Sequence, residues 1–314
     1  MNLEEEDITS SGIKRRHSEK RILTIIVTYN GEKWIRRCIP PLLTPVQSYT
    51  DIICIDNASS DATLDMLSEL YPHVLVNKQS SNLGFGKACN IGLEHARRNN
   101  YDYVLLLNQD AEISQDSITE LIDIAESQPH IGIISPIHLN DEGRIDKLFL
   151  SCLCNDPCLQ IFSDLLTRKF VNNFYHVKFV NAAVWLLSKR CIKKVQTFDP
   201  IFPHYGEDDD FASHVRESGM KIAIAPSVFA IHHRSQDEKT RPQESSFQSQ
   251  KNREHVRFLL QYKRLSGGKL RRYFYLFRYF IAEAITRVLL LEIKELQYTT
   301  TGFWRFTFYS LRKL

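Results

Sequence analysis

The sequence predicts an α/β protein: a Rossmann-like, mostly parallel sheet with helices on both faces, followed by a helical C-terminal tail. Three observations predict it. Apolar, β-branched runs alternate with helix-length stretches from residue 22 onward. The runs are continuously apolar, as strands buried on both faces must be. From residue 251 to the end, Lys and Arg are interleaved with Tyr, Phe and Leu.

The strand runs are "ILTIIVT" (22–28), "DIICID" (51–56), "HVLVNK" (73–78), "YVLLLN" (103–108) and "IGIISP" (131–136). Between them helices are expected over 31–43, 61–70, 86–98 and 116–127, with Ser59 or Ser60 capping the second and Ser114 the last. Such alternation gives right-handed crossovers and parallel pairing. From 137 to 176 the periodicity dissolves into mixed, aromatic, Cys-containing sequence. "VKFVNAAVWLLS" (177–188) then reads as a strand, 189–195 as a short helix and "KIAIAPSVFAIHH" (221–233) as a closing strand. The organisation expected is a disordered lead (1–20), a first half (21–136), a second half (137–250) and a basic amphipathic helical tail (251–314).

The 314 residues are 43% hydrophobic and 25% charged, ample for a globular core. The net charge of +3 conceals an asymmetry: residues 251–314 hold fourteen Lys and Arg against four acids, or +10, leaving −7 for the rest. No window approaches the roughly 18 uncharged apolar residues of a spanning helix. The charged N-terminus lacks the apolar stretch of a secretory signal. Seven cysteines, an odd number spread through strands and helices, fit a reducing, cytoplasmic compartment. Cys152, Cys154 and Cys158 lie close together, but no fourth thiol or paired imidazole completes a zinc pattern.

Ligands of an open parallel sheet bind beyond the carboxyl ends of its strands. Those ends are polar here. The first gives Thr28, Tyr29, Asn30 and Gly31; the second Asp56 to Asp61, "DNASSD". The third leads to Asn82, Gly84 and Lys87; the fourth breaks into Asn108, Gln109, Asp110 and Glu112. Taken alone, "DNASSD" reads equally as an Asx turn or as a site in which Asp56 accepts the imide N–H of a pyrimidine. "NLGFGKACNIG" resembles a phosphate loop, but Cys89 breaks the GxGxxG spacing. Later, "GEDDDF" places four carboxylates together at a helix start in aromatic surroundings, where one could accept a proton. His232 and His233 close the last strand and could supply a metal ligand.

Seven motifs then fall in one order: "VTYNG", "DNASSD", "NLGFGKACNIG", "LLLNQDAEI", "FVNAAVWLLSKR", "FDPIFPHYGEDDDF" and "IHH". Over residues 22–235 the chain resembles family 2 glycosyltransferases, in particular the bacterial rhamnosyltransferase-like members that build surface polysaccharides. The resemblance implies a glycosyltransferase A-type fold, with nucleotide-sugar binding in the first half and acceptor binding and catalysis in the second. It implies that Thr28, Asn30 and Asp56 hold the nucleoside, and that Asn82, Gly84 and Lys87 line its sugar or diphosphate side. Asn108 and Asp110 would occupy the Asp-x-Asp signature. Asp110, with His232 or His233, would bind Mg²⁺ or Mn²⁺ across the diphosphate. Asp208 would be the catalytic base, with Glu207, Asp210 and Trp185 supporting it or touching the acceptor. One departure matters: Asn108 replaces the first acid of the signature, and an amide oxygen is a weaker ligand for a hard cation.

The expected reaction is inverting transfer from a UDP- or dTDP-linked sugar to a hydroxyl of a glycan or lipid-linked saccharide. Two alternatives are a non-catalytic nucleotide-sugar binder, which Asn108 favours, and a nucleotidyltransferase. The latter needs a Gly-rich basic loop after the first strand, where this chain has "TYNGEKW". The tail either packs on the body, forms a homodimer contact, or rests on anionic lipid at the inner face of the cell membrane. No RNA or DNA motif appears, so no nucleic-acid partner is expected.

Overall fold

The computed structural model describes residues 20–43, 50–154, 159–167, 169, 172–202, 205–233 and 244–313. The chain divides into two compact units: Met1–Phe198 with Phe211–Ser235, and Asp199–Asp210 with Gln236–Leu314. Apart from Lys20, the expected lead lies outside the described residues, as does Cys158.

The first unit is built on one nine-stranded sheet. Strands β1 (Ile22–Thr28), β2 (Thr50–Asp56), β3 (Leu75–Lys78) and β4 (Tyr103–Asn108) pair in parallel in the order β3-β2-β1-β4. Helices α1 (Glu32–Cys38), α2 (Thr63–Leu70), α3 (Phe85–Arg98) and α4 (Gln115–Ser127) connect them and the next strands. Successive strand residues alternate between two cores, as the pleat requires. Leu23, Ile25 and Leu106 pack with Ala88, Cys89 and Leu93 of α3. Ile22, Ile26 and Leu107 pack with Ile35 of α1 and Ile118 and Leu121 of α4. Gly92 is required here: a Cβ on it would stand 2.6 Å from Ile25 Cδ1, so its absence lets α3 lie close on β1. Ser114 caps α4 as expected, its Oγ accepting the Ser117 N–H at 3.1 Å.

Beyond β4 the sheet turns mixed. The full order is β3-β2-β1-β4-β8-β6-β9-β5, with β7 also on β9. Strand β6 (Ile131–Leu139) runs parallel to β9 (Lys221–His232), while β8 (Val184–Ser188) lies between β4 and β6 and antiparallel to both. Strands β5 (Ala111–Glu112) and β7 (Tyr175–Val177) pair antiparallel with β9. The single strand expected over 177–188 is therefore two strands with different neighbours. The stretch reads as strand throughout because Val180, Ala182 and Ala183 are buried in the turn between them. Residues 136 and 137 are no boundary either, since β6 passes straight through them and β8 and β9 extend the same sheet.

The aperiodic region contains two helices, α5 (Lys147–Cys154) and α6 (Leu159–Thr167). Asp146 starts α5 by accepting the Phe149 N–H at 2.9 Å, and Phe149 and Leu153, four apart, enter the core. Helix α7 (Lys189–Lys194) follows β8. Cys38, Cys54, Cys89 and Cys191 are buried thiols outside any disulfide; burial, then the Asp56 charge, pushes Cys54 up to about 12. Such thiols are unreactive core residues.

The unit boundary falls inside α8 (Glu207–Glu217), between Asp210 and Phe211. The second unit adds α9 (Glu244–Arg264), α10 (Lys269–Leu289) and α11 (Ile293–Lys313), the helical tail that the sequence predicts. Its core is aromatic: Phe258, Phe280, Phe303 and Phe306 pack with Ile201 and Phe202, and the rings of Phe280 and Phe303 stack at 4.2 Å. None of the helices among the described residues is long and apolar enough to cross a membrane.

Candidate active site

The carboxyl ends of β1 and β2 form one hydrogen-bonded group. Thr28 and Asp56 face each other in register, and Asp56 is fully buried. Its carboxylate accepts the Thr28 hydroxyl at 3.0 Å, the Ser59 hydroxyl at 2.5 Å and the Ser59 N–H at 3.0 Å. Three donors fill most of the about four acceptor positions of a carboxylate. Asn30 sits at φ 48°, in the left-handed region that Asn tolerates. Its side-chain oxygen accepts the Ser60 N–H at 2.9 Å, and its own N–H donates to Ser59 Oγ at 2.9 Å. The two serines expected to cap α2 are thus held by the strand ends, and Asp61 takes over, accepting the Thr63 N–H at 3.1 Å.

The third loop is tied to the second. Asn57 accepts the Leu83 N–H at 3.2 Å, and Asn82 accepts the Gly84 N–H at 2.9 Å. Gly84 takes φ 81° and leads directly into α3, whose first turn carries Lys87. The amides of a helix start and a lysine beside them suit an anion. Gln109 joins the fourth strand end to the first: Tyr29 N–H donates to its Oε1 at 2.9 Å and its Nε2 donates to Tyr29 O at 3.1 Å. A Cβ on Gly31 would stand 2.4 Å from that Oε1, so a larger residue there would displace the Gln109 amide.

Asp110 lies at the turn from β4 into β5. Because β5 pairs with the end of β9, Ala111 opposite His232, the two histidines are brought against this turn. His232 Nε2 is 3.6 Å from Asp110 Oδ1, while its Nδ1 is buried without a partner. His233 is engaged differently. One ring nitrogen lies against Asp141, the other 2.5 Å from Glu112, and the ring stacks on Trp34 at 5.4 Å. Behind them His138 is buried, and burial, then His232, pushes it down to about 3, so it stays neutral. Two ligands on one divalent cation lie about 3–3.5 Å apart, so Asp110 and His232 fit such an ion as a partial shell, and the engaged His233 does not. Among the described residues no group of three or more acids, cysteines and histidines completes a metal site. Asn108 donates its backbone N–H to Ala183 O at 2.9 Å, which fixes the strand end that presents it.

In the second unit, Glu207, Asp208, Asp209 and Asp210 occupy the first turn of α8, where acids complement the helix dipole. Gly206 precedes them at φ 86°, and a Cβ there would meet Val256 Cγ1 at 2.4 Å. Cations of α9 offset the acids. Lys263 Nζ is 2.7 Å from both Asp199 and Asp210, and Arg264 is 3.3 Å from Asp209. Asp208 accepts the Asp209 N–H at 3.0 Å. Glu207 is buried, one carboxyl oxygen lacks a partner, and burial, then the Asp208 charge, pushes it up to about 7.

The structure corrects one assignment. Trp185, expected to support the base or touch the acceptor, has no exposed surface and packs on Phe211 in the sheet core, its indole N–H unpartnered. An aromatic on the inward face of β8 is core packing. Ser59, Gln109, Trp34, Glu112, Asp141 and Lys263 are the supporting residues that motif reading leaves out. Only Ser59, Gln109 and Glu112 stand inside recognisable motifs; Trp34, Asp141 and Lys263 carry no local signal.

Residues 24–188 match the sequence profile of "Glycosyl transferase family 2", just over half of the chain. Over 231 residues the chain is 21% identical to an N-acetylglucosaminyl-diphospho-decaprenol L-rhamnosyltransferase of Mycobacterium tuberculosis, covering 67% of this chain and 75% of that protein. It is 27% identical over 223 residues to the low-salt glycan biosynthesis hexosyltransferase Agl10 of Haloferax volcanii, covering 68% and 67%. Its fold is shared with S. aureus TarS 1-349 (TM-score 0.55, 14% identity, 81% of this chain and 68% of that one). It is also shared with the mannosyltransferase PcManGT of Pyrobaculum calidifontis, solved with GDP-Man and Mn²⁺ (TM-score 0.53, 14% identity, 93% and 85%).

Proposed function

Since the chain belongs to glycosyl transferase family 2 and is a glycosyltransferase, we propose that it transfers one sugar, with inversion, from a UDP- or dTDP-linked donor to a hydroxyl of a glycan or lipid-linked saccharide. The observations that carry this reading are the Asp110–His232 pair at 3.6 Å and the hydrogen-bonded Thr28–Asp56–Ser59 group at the carboxyl ends of β1 and β2; we read the first as the cation position and the second as the nucleoside position. Asp56, ordered by Thr28 and Ser59, receives the imide N–H of the base, and Asn30 holds the nucleoside beside it. Asn82, Gly84 and Lys87 attend the sugar or diphosphate side. One solved structure of this fold holds UDP-GlcNAc and another holds GDP-Man and Mn²⁺, which supports a nucleotide-sugar donor.

In the reaction Asp208 accepts the proton of the acceptor hydroxyl as its oxygen bonds to the anomeric carbon. The carbon–oxygen bond to the diphosphate breaks, and a nucleoside diphosphate leaves with the electron pair. Asp110 and His232 would hold Mg²⁺ or Mn²⁺, which when bound neutralises charge on the departing diphosphate. With Asn108 beside Asp110, the protein contributes one carboxylate, so donor and cation bind together more tightly than either alone. Glu207 and Asp210 support Asp208, and Lys263 steadies Asp210. The lipid-linked substrates named for relatives from M. tuberculosis and Methanococcus voltae support a lipid-linked acceptor.

Asn108 favours one competing reading, a binder without turnover. The test is release of nucleoside diphosphate from a panel of nucleotide-sugars with Mn²⁺ and lipid-linked acceptors. Asp208→Asn is expected to lower that release by about a hundredfold or more while nucleotide still raises the melting temperature. Nucleotide-induced stabilisation with no release from the unaltered chain would establish the binder, and pyrophosphate release would establish a nucleotidyltransferase.

A further inference from the structure

Among the described residues, helix α10 has two apolar faces, one packed and one exposed. Tyr273, Leu276, Phe280 and Ala284 pack into the aromatic core of the second unit. Leu270, Phe274, Phe277, Ile281, Ile285 and Val288 form a second stripe, each at least 39% exposed. At 100° per residue these six fall within an arc of about 80°, one continuous strip along the helix. The strip runs on into the following turn, where Leu290 and Leu291 are 62% and 82% exposed. Proteins seldom leave a contiguous apolar surface of this length uncovered.

Its border is basic. Arg271 and Arg278 flank the strip and lie over the rings of Tyr275 and Phe274, at 5.6 and 6.0 Å. Lys269 stands exposed at its start. The one acid of α10, Glu283, is already bonded to Arg257 at 2.8 Å and Arg287 at 3.0 Å. The exposed side of the helix therefore offers apolar side chains edged with cations and no carboxylate.

We infer that this strip of α10 seats the second unit on an anionic lipid surface, its apolar side chains entering the headgroup–acyl boundary and Lys269, Arg271 and Arg278 meeting lipid phosphates. A second copy of the chain fits less well. Two strips paired about their midpoint bring Arg278 next to its symmetry mate, and neither copy supplies an exposed acid on this helix. The inference deepens the acceptor side of the proposed function and rests on that reading for its purpose, a lipid-linked saccharide being met at such a surface.

The test is flotation of the full chain with vesicles of phosphatidylcholine alone and with vesicles in which phosphatidylglycerol is about a third of the lipid. The chain is expected to float only with the anionic vesicles, and salt near 1 M, with a screening length of about 3 Å, is expected to release it at least fivefold. Leu270→Asn with Phe274→Asn is expected to lower partition about tenfold or more, with an unchanged melting temperature, since both side chains face solvent. Arg271→Gln with Arg278→Gln should lower it about fivefold per residue. No binding to anionic vesicles, or binding indifferent to both pairs, overturns the inference. So does a dimer that the first pair dissociates without change in vesicle partition. Turnover on a soluble acceptor separates the two readings: vesicle binding without turnover removes the proposed function alone, and turnover without vesicle binding removes this inference alone.

Discussion

Replacing Lys263 with Met probes how the acidic start of α8 is held. Lys263 Nζ sits 2.7 Å from a carboxylate oxygen of Asp210 and 2.7 Å from one of Asp199. The two acids differ in what they lose. The Asp210 side chain is 5% exposed, against 32% for Asp199. Water can compensate Asp199, whose pair therefore contributes at most about 1 kcal/mol. Asp210 cannot be rehydrated without opening the unit, and stripping the partner from a buried charge typically costs about 3–5 kcal/mol. The α8 N-terminus returns part of that, about 0.5–1 kcal/mol, because its dipole favours an anion there. Met fills the volume of the lysine stem and adds no polar group. The balance is a loss of about 3 kcal/mol in Lys263→Met, read by urea unfolding at neutral pH with hydrogen exchange of α9 amides. Adding Asp210→Asn removes the buried charge and is expected to recover at least half of the loss. A loss under about 1 kcal/mol, or a double variant no more stable than Lys263→Met, would refute the view that the lysine neutralises a buried Asp210.

Two further outcomes follow from the geometry. Glu207 is pushed up to about 7 from an ordinary 4.5, so the folded chain binds its proton more tightly than the unfolded chain. That contribution is complete below pH 4.5 and is lost as pH rises to about 7. Glu207→Gln should therefore flatten the decline in urea midpoint across that window and raise stability at pH 8 by about 3 kcal/mol; parallel pH curves for the two proteins would remove the assignment. His232 and His233, adjacent in sequence, should separate cleanly. His232→Ala is expected to raise the Mn²⁺ concentration for half-maximal thermal stabilisation, with nucleotide present, about a hundredfold or more, and His233→Ala tenfold at most. His233→Ala should instead lower the melting temperature, because Glu112 and Asp141 lose the imidazole between them. Equal shifts in the Mn²⁺ requirement would show that the engaged histidine is a ligand after all.

Much of the first unit was legible in the chain. "ILTIIVT", "DIICID" and "YVLLLN" are buried on both faces, so their burial is written as unbroken apolar sequence and their parallel pairing follows from the helices between them. The polar, hydrogen-bonded strand ends were legible for the same reason, since their polar residues begin where those runs stop. Helix α5 in the aperiodic region was missed because it buries only a narrow face. Phe149 and Leu153 alone carry the period of α5. Trp185 was misplaced because a motif records that a residue recurs, not which way a strand turns it.

The sequence by itself determined the strand–helix alternation, the polar strand ends, the acidic run before "FASHV" and the basic, aromatic tail. These are properties of short windows: period, apolar continuity and local charge. Tertiary structure decided the rest. It set β8 antiparallel between β4 and β6, although strand composition carries no direction. It brought His232 to Asp110, 122 residues away, through two backbone pairings of β5 with β9. It turned His233 into a strut between Glu112 and Asp141, and it gave Asp210 a lysine 53 residues downstream. Each of these contacts joins segments distant in sequence, and loop closure leaves no periodicity in the residues it unites, so only the folded chain can specify them.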